Sequence, residues 1–185
     1  MSWLSKGKSV YLHMSLLLIS GRMTKSKEEQ IKTLLARHSS PPLEVVIPIL
    51  KKAGRGEEEL ESLLYKDNMS LANGLKETLG LKDKNMKTIA KMFEVIIGSS
   101  YGQKFEPIEL SETRFFFTVS DCPMLHLGKD VGTSVKSKFC DLICSVGAKA
   151  IATAVLGPES TCTWDKALIK GAGKCKVVFE SGKKK

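Results

Sequence analysis

Hydrophobic residues recur every three or four positions through the first half of the chain, which is the period of an amphipathic helix. The pattern predicts helices over 24–37, 56–66 and 69–81, and it leaves 43–54 as either a helix start or a buried strand. Gly80 is predicted to end the third helix. The next helix carries the clearest apolar stripe, typical of core packing, formed by Met86, Ile89, Ala90, Met92, Phe93, Ile96 and Ile97.

In the second half, helical spacing gives way to extended runs rich in aromatic and β-branched residues. Residues 104–121 contain two such runs, and the second, RFFFTVSD, is the stronger strand candidate. Helical spacing returns over 132–157, where a Gly-Pro pair ends the pattern. Residues 161–181 are predicted to form a β-hairpin with GAGK as its turn. This order predicts an α+β fold, with helices packed against a small antiparallel sheet and a helical amino-terminal half.

We expect one α+β domain with short appendages. The predicted parts are an appended or mobile segment over 1–23, a helical part over 24–104, an α+β part with all five cysteines over 105–181, and a disordered basic tail over 182–185. Residues 10–20 are apolar but shorter than the roughly 18–20 residues that span a bilayer, so no membrane span is expected. They lack a signal-cleavage pattern, so we favour an appendage over a secretion signal. A natural start at Met23 is one alternative, and an added strand or helix packed on the body is another.

The net charge of +9 favours anionic partners. Only 6% of residues are aromatic, however, which leaves little material for base stacking. We therefore expect a solvated basic surface rather than nucleic-acid binding. The five cysteines are odd in number and irregularly spaced, which makes a poor disulfide framework, so we expect free thiols in a reducing cytoplasm.

Several common signatures are absent from the sequence. It has no glycine-rich nucleotide loop, no G-x-S-x-G, no H-E-x-x-H and no C-x-x-C. These absences argue against nucleotide hydrolysis, Rossmann redox chemistry, serine hydrolysis, and zinc-ribbon or thioredoxin-like sites. The cysteines remain as the candidate chemistry.

Cys122 is the best candidate for a reactive thiol, because it follows the predicted strand on a loop. Pro123 restricts Cys122 to extended geometry. His126 is close enough in sequence to act as a base or as a co-ligand. A small apolar residue ending a strand and an ordinary loop histidine are the plainer interpretations.

Cys140 and Cys144 lie about 40° apart on an ideal helix, on the shoulder of its apolar stripe. That position favours contact with another element or with the rim of a pocket. Three roles for the thiols remain open. They are buried small hydrophobic residues, ligands of a soft metal or cluster, or, for one of them, a nucleophile. The first role suits Cys162 and Cys175 on the hairpin. The spacing matches no metal motif, so we assign no metal ligands and no identified cofactor.

Three segments share a distinctive pattern: FFFTVSDCP (115–123), FCDLIC (139–144) and ALIKGAGKCKVVFE (167–180). Together they resemble the L-2-amino-thiazoline-4-carboxylic acid hydrolase-like family, whose members have a strand ending in Cys-Pro, a helix with Cys-Asp, and a hairpin glycine preceding a cysteine in the last strand. The matching positions are Cys122, Pro123, Cys140, Asp141, Gly171 and Cys175. The chain is more weakly similar to vinyl-reductase-type ligand-binding domains, which usually carry another cysteine before the glycine.

The first resemblance implies ring-opening hydrolysis of a cyclic amidine-like sulfur heterocycle, by a hydrolase acting on a non-peptide C–N bond. Under that resemblance we assign catalysis to Cys122, His126, Cys140 and Asp141, and ligand contacts to Pro123, Cys144, Gly171 and Cys175. The second resemblance implies a binding module, and a non-enzymatic ligand, redox or metal sensor is our alternative function. We expect a small-molecule ligand as the partner, and a homodimer is compatible with either function.

Overall fold

The computed structural model of the chain describes residues 25–37, 56–98, 104–122, 136–137, 140–165, 168, 171 and 173–182. Its α-helices are α1 (Lys25–Arg37), α2 (Glu57–Leu79), α3 (Met86–Ile96) and α4 (Val146–Leu156), and a π-helix (Cys140–Ser145) precedes α4. The strands are β1 (Lys104–Leu110), β2 (Arg114–Ser120), β3 (Thr161–Trp164) and β4 (Cys175–Glu180). Helices pack against an antiparallel sheet, so the predicted α+β fold is confirmed.

Some of the predictions fall on other parts of the chain. The appended segment over 1–23, the ambiguous stretch 43–54 and the lysines at 183–185 lie outside the described residues. Within the described helices, none combines the length and the apolarity needed to cross a bilayer.

Helix α2 is continuous where the hydrophobic pattern predicted two helices. The pattern breaks at Asp67 and Asn68, but Leu64 and Leu71 are buried on either side of that pair. Because packing supplies most helical stability in proteins, burial of the turns on both sides keeps the polar pair between them helical. Gly80 ends the helix, as predicted, in the left-handed conformation with φ of 68°, and its N–H bonds back to the last turn.

Helix α3 confirms the predicted apolar stripe. Asn85 caps its amino terminus, since the Asn85 side-chain oxygen accepts a hydrogen bond from the Thr88 N–H at 3.0 Å. The Thr88 hydroxyl donates to the Asp83 carbonyl at 2.8 Å, which ties the helix to the preceding loop. The predicted stripe is buried at Met86, Ile89, Met92, Phe93 and Ile97 and partly buried at Ala90 and Ile96, and Val95 is buried in addition.

The four strands form one sheet in the order β1-β2-β4-β3. Phe115, Phe117 and Val119 of β2 are almost fully buried, because alternate residues of a strand face the same side. Strand β1 is an edge strand, and its pairing with β2 shifts register between Pro107 and Glu109. Such an irregularity interrupts the exposed edge and discourages uncontrolled pairing with other chains.

Strands β3 and β4 pair antiparallel, which confirms the predicted hairpin. The connection is longer than the predicted GAGK turn, since β3 ends at Trp164 and β4 begins at Cys175. Gly171 lies within this connection, at φ of 87°, and its N–H donates to the Leu168 carbonyl at 3.2 Å. The hairpin therefore carries a loop with its own hydrogen bonding rather than a tight turn.

Aromatic side chains fill the space between α3 and the sheet. The Phe93 ring centroid lies 5.5 Å from that of Phe117 and 4.9 Å from that of Phe179. Phe115 and Trp164 also contact Phe117, with tilted and edge-on geometry respectively. Tilted and edge-on pairs of this kind stabilise the core beyond the area that they bury.

Helix α4 lies close against α2. A Cβ at Gly147 would come within 3.1 Å of the Asn68 side-chain oxygen, so the absence of a side chain permits this approach. The contact continues into a second, smaller apolar cluster formed by Leu60, Leu64, Leu142 and Val146. The helices are thus packed on each other as well as on the sheet.

Candidate functional site

Cys122 reaches the protein interior because the chain changes direction just before it. Val119 faces inward on β2, and strict alternation would turn Cys122 to the opposite face. Asp121 has φ of 69°, in the left-handed region, and this resets the alternation. Aspartate is among the few non-glycine residues that adopt this conformation readily. Cys122 is accordingly 8% exposed and belongs to the main hydrophobic core.

Cys175 lies at the same end of the sheet as Cys122. It is buried as the first residue of β4 and pairs with Val119 of β2. The Cys175 sulfur accepts a hydrogen bond from the Leu168 N–H at 3.4 Å and another from the Trp164 side chain. These two donors fix the position of the sulfur at the start of the strand.

Cys140 and Cys144 lie on the π-helix, in a region where the hydrophobic pattern predicted α-helix over 132–157. The prediction is confirmed for α4 and wrong for Cys140–Ser145. The Ser145 hydroxyl donates to the Cys140 carbonyl at 3.2 Å and so satisfies a carbonyl of the widened turn. Residues 131–135 and 138–139 lie outside the described part of the chain.

The π-helix is explained by the burial of side chains on two of its sides. Cys140 is 2% exposed, and Leu142, two residues later, is packed against α2. Residues two apart lie on roughly opposite sides of a helix, so this segment must fit two neighbours at once. A widened turn changes the angle between those sides without breaking the helix.

Four thiols from three segments gather at this end of the sheet, and we call Cys122, Cys140, Cys144 and Cys175 the thiol cluster. A hydrogen bond with Cys140 is the largest of the causes that raise the pKa of Cys144 well above its ordinary value. Burial adds to this effect, as do the repulsions that an ionised Cys144 would feel from Cys140, Cys122 and Cys175. Cys140 therefore contacts Cys144, and Cys122 and Cys175 lie within electrostatic range of it.

The surroundings keep two thiols of the cluster, Cys144 and Cys175, in their neutral form. Burial raises the pKa of Cys175, and the charges of Asp165 and Cys140 add to it, although the Leu168 N–H acts in the opposite direction. A thiol is nucleophilic only when it is ionised, so Cys144 and Cys175 are poor nucleophiles at neutral pH. Their arrangement suits contact with a neutral ligand better than attack on it.

Cys162 provides an internal comparison. It lies on β3, half-buried, and packs against the main core. Burial alone raises the pKa of Cys162 to about 12, with no contribution from another thiol. Cys162 therefore behaves as the small apolar residue that its place on the hairpin predicted.

The remaining predicted site residues are Pro123, His126, Asp141 and Gly171, and only Asp141 and Gly171 are among the described residues. Pro123 and His126 lie outside the described residues, so their proposed roles as ligand contact and base stay predictions. Asp141 is exposed, whereas its neighbour Cys140 is buried, so the two face different surroundings. Gly171 is exposed in the β3–β4 connection. Among the described residues, no group of three or more His, Cys, Asp or Glu side chains has an arrangement that holds a metal ion.

Three residues that shape the site were not predicted from the sequence. Asp121 turns Cys122 inward, and Trp164 and Leu168 donate hydrogen bonds to Cys175. The Ser-Asp pair ending the strand was a usable signal, because aspartate at a strand end often marks a turn. The two donors had no local signal, since Trp164 ends β3 on the far side of the ten-residue connection and Leu168 lies within that connection.

The comparisons with known proteins concern the fold. No known protein-family model matches the chain, and no curated protein matches it either. Among solved structures, the chain is similar to trafficking protein particle complex subunit 3 from Naegleria fowleri, covalently bound to palmitic acid. The TM-score is 0.54 and the identity 17%, over 81% of this chain and 93% of that one. At this identity the likeness shows a shared α+β fold.

Proposed function

We propose that this chain is a small-molecule-binding protein whose ligand contacts the thiol cluster. The observation that carries the proposal is the convergence of Cys122, Cys140, Cys144 and Cys175 from a strand end, a π-helix and the last strand. Four thiols gathered without disulfides or a metal-binding arrangement among the described residues supply a soft, weakly polar surface.

The surroundings of the cluster define the class of ligand. The raised pKa values of Cys144 and Cys175 keep these thiols uncharged at neutral pH, so they offer weak S–H donors. Trp164 and Leu168 lie against Cys175 and add an apolar wall. A small ligand with an apolar or sulfur-containing ring fits this combination. The resemblance to the L-2-amino-thiazoline-4-carboxylic acid hydrolase-like family supports the same class.

Hydrolysis is the more specific form of the proposal. Ring opening needs an activated nucleophile or water and a proton donor to the departing nitrogen. Since Cys144 and Cys175 are held protonated, we assign them to ligand contact and keep Cys122 or Cys140 as the nucleophile. His126 is the proposed base, and Asp141 is the weakest member of the set because it is exposed.

Calorimetry with 2-aminothiazoline-4-carboxylate tests this function, and palmitic acid, which the structural neighbour holds covalently, tests whether the ligand is an acyl chain instead. We expect the ring compound to bind the reduced wild-type chain. Cys140→Ala and Cys175→Ala should weaken that binding by about tenfold, and Cys162→Ala should not change it. Binding that is insensitive to the cluster variants, or absent for the ring compound, would contradict the proposal. Mass spectrometry of the incubated ring compound then reports whether it is opened.

A second candidate function is that of a subunit in an assembly, a homodimer included. The structural neighbour is a subunit of the trafficking protein particle complex, and strand β1 exposes Ile108 and Leu110 to 52% and 47%. The register shift interrupts backbone pairing along this edge, but exposed large apolar side chains still favour side-chain contact with another chain. Light scattering tests the homodimer: Leu110→Lys should lower the mass to that of a monomer, while Leu63→Lys, an equally exposed site on α2, should not. A wild-type monomer at every concentration contradicts it.

A further inference from the structure

The two thiols on the π-helix lie in mutual contact. Cys140 and Cys144 share a hydrogen bond and belong to the same six-residue segment, Cys140–Ser145. In an α-helix, residues four apart are offset by about 40° and rise by about 6 Å. A π-helix closes its hydrogen bonds over five residues instead of four, so its turns are wider and its rise is smaller. Residues four apart are therefore nearer to eclipsed and closer along the axis.

We propose that Cys140 and Cys144 form a reversible disulfide across the π-helix. A disulfide needs Cα atoms within about 6.8 Å of each other and Cβ atoms that approach each other. The widened turn brings the pair towards this geometry without movement of another element. Disulfide formation here is a modification of the proposed ligand site, and its effect on ligand binding rests on the proposed function.

The exposure of the two thiols determines which of them reacts first with an oxidant. Cys144 is partly exposed, while Cys140 is buried. With glutathione disulfide as oxidant, the small ionised fraction of Cys144 attacks one glutathione sulfur, forms a mixed disulfide and releases one glutathione thiolate. Because the pKa of Cys144 is raised, this first step is slow at neutral pH and becomes faster in alkaline buffer. The Cys140 sulfur then attacks the Cys144 sulfur and releases the second glutathione. The pair loses two protons and two electrons, and the oxidant becomes two molecules of glutathione.

The other thiols are less suited to this chemistry. Cys122 and Cys175 are 8% and 4% exposed and belong to the main core, so glutathione disulfide, which is much larger than the proposed ring ligand, does not reach them without opening of the structure. Cys162 interacts with no other thiol strongly enough to affect its pKa. The two thiols on the π-helix contact each other, and one of them, Cys144, is partly exposed.

The sequence makes the test direct. Tryptic cleavage after Lys138 and Lys149 places Cys140 and Cys144 in one peptide, without any other cysteine. A disulfide between them stays inside that peptide and lowers its mass by two hydrogens, whereas any other pairing joins two peptides. The full-length chain is equilibrated in buffers of increasing glutathione disulfide, then unfolded in denaturant, alkylated and digested. Cys144→Ser removes the pair, and Cys162→Ser is the matched control.

The expected result is a drop from five to three alkylatable thiols in the wild type, with the mass loss confined to that peptide. Cys162→Ser should show the same loss, and Cys144→Ser should show none. Five alkylatable thiols at the most oxidising ratio, or a disulfide joining two peptides, would overturn the inference. The wild-type result stands without the variants if either fails to fold. Loss of probe binding in the reduced protein would sink the proposed function alone, since the disulfide is measured without any ligand.

Discussion

The inner face of the β2–β4 pair changes from aromatic to thiol along its length. At one end, Phe115 of β2 pairs with Phe179 of β4, and both are fully buried. At the other end, Val119 pairs with Cys175, and Cys122 follows just beyond the strand. The aromatic end depends on regular strand alternation, whereas the thiol end depends on a left-handed residue and a π-helix. Regular geometry builds the core, and departures from it build the candidate site.

The largest expected loss of stability comes from a substitution at the aromatic end of the β2–β4 pair. Phe117→Ala removes a fully buried ring that contacts Phe93 and Phe179, and it should lower the free energy of unfolding by about 3–5 kcal/mol. Phe116→Ala is the matched control, because Phe116 is only partly buried on the opposite face of β2. Urea denaturation measures both variants. Equal losses at the two positions would contradict the inward and outward assignment.

The turn before Cys122 gives the next largest effect. Asp121→Val places a β-branched residue at φ of 69° and should destabilise the protein by about 1–3 kcal/mol, whereas Asp121→Gly removes the conformational cost. We also expect alkylation of Cys122 to be faster in the valine variant, since the residue that turns it inward is lost. Denaturation and timed alkylation check the two outcomes. A valine variant as stable as the glycine variant would show that the left-handed turn does not position Cys122.

The raised thiol pKa values predict a loss of stability in alkaline solution. Burial raises the pKa of Cys162 to about 12, while the unfolded chain releases that proton near its ordinary value of about 8.5. The free energy of unfolding should therefore be independent of this thiol below about pH 8.5 and fall by about 1.4 kcal/mol per pH unit above it. Denaturation of wild type and Cys162→Ala between about pH 8 and 10 isolates the effect. If the free energy of unfolding changed with pH in the same way in both proteins, burial of the Cys162 thiol would be contradicted.

The smallest effect concerns the surface beside the thiol end. The pKa of Glu106 is lowered by a hydrogen bond from Lys174, by the charge of Lys174 and by the Thr118 hydroxyl. Lys174→Ala should return that pKa towards its ordinary value, as an NMR titration of the Glu106 carboxyl would show. Because the pair is exposed, we expect little change in stability. An unchanged Glu106 pKa would show that Lys174 does not hold the β3–β4 connection next to β1.

The sequence predicted those parts of the molecule that depend on local spacing. The α3 stripe, the end of α2 at Gly80 and strand β2 follow from periodicity and from one glycine. The π-helix was not predictable, because an apolar stripe tolerates one widened turn without a change in residue types. The meeting of Cys122, Cys140 and Cys175 was expected from a family resemblance, but no local pattern specifies that distant segments converge. The resemblance assigned Asp141 to the site together with Cys140, but Asp141 is exposed although its sequence neighbour Cys140 is buried.

The most direct test of the thiol cluster is NMR of the reduced protein with carbon-13 at the cysteine Cβ positions. The chain should give five signals, one for each free thiol. If the thiols meet as described, Cys144→Ala will shift the signals of Cys122, Cys140 and Cys175 and leave that of Cys162 in place. A shift confined to Cys140, its neighbour on the π-helix, would contradict the convergence of the three segments and with it the proposed site.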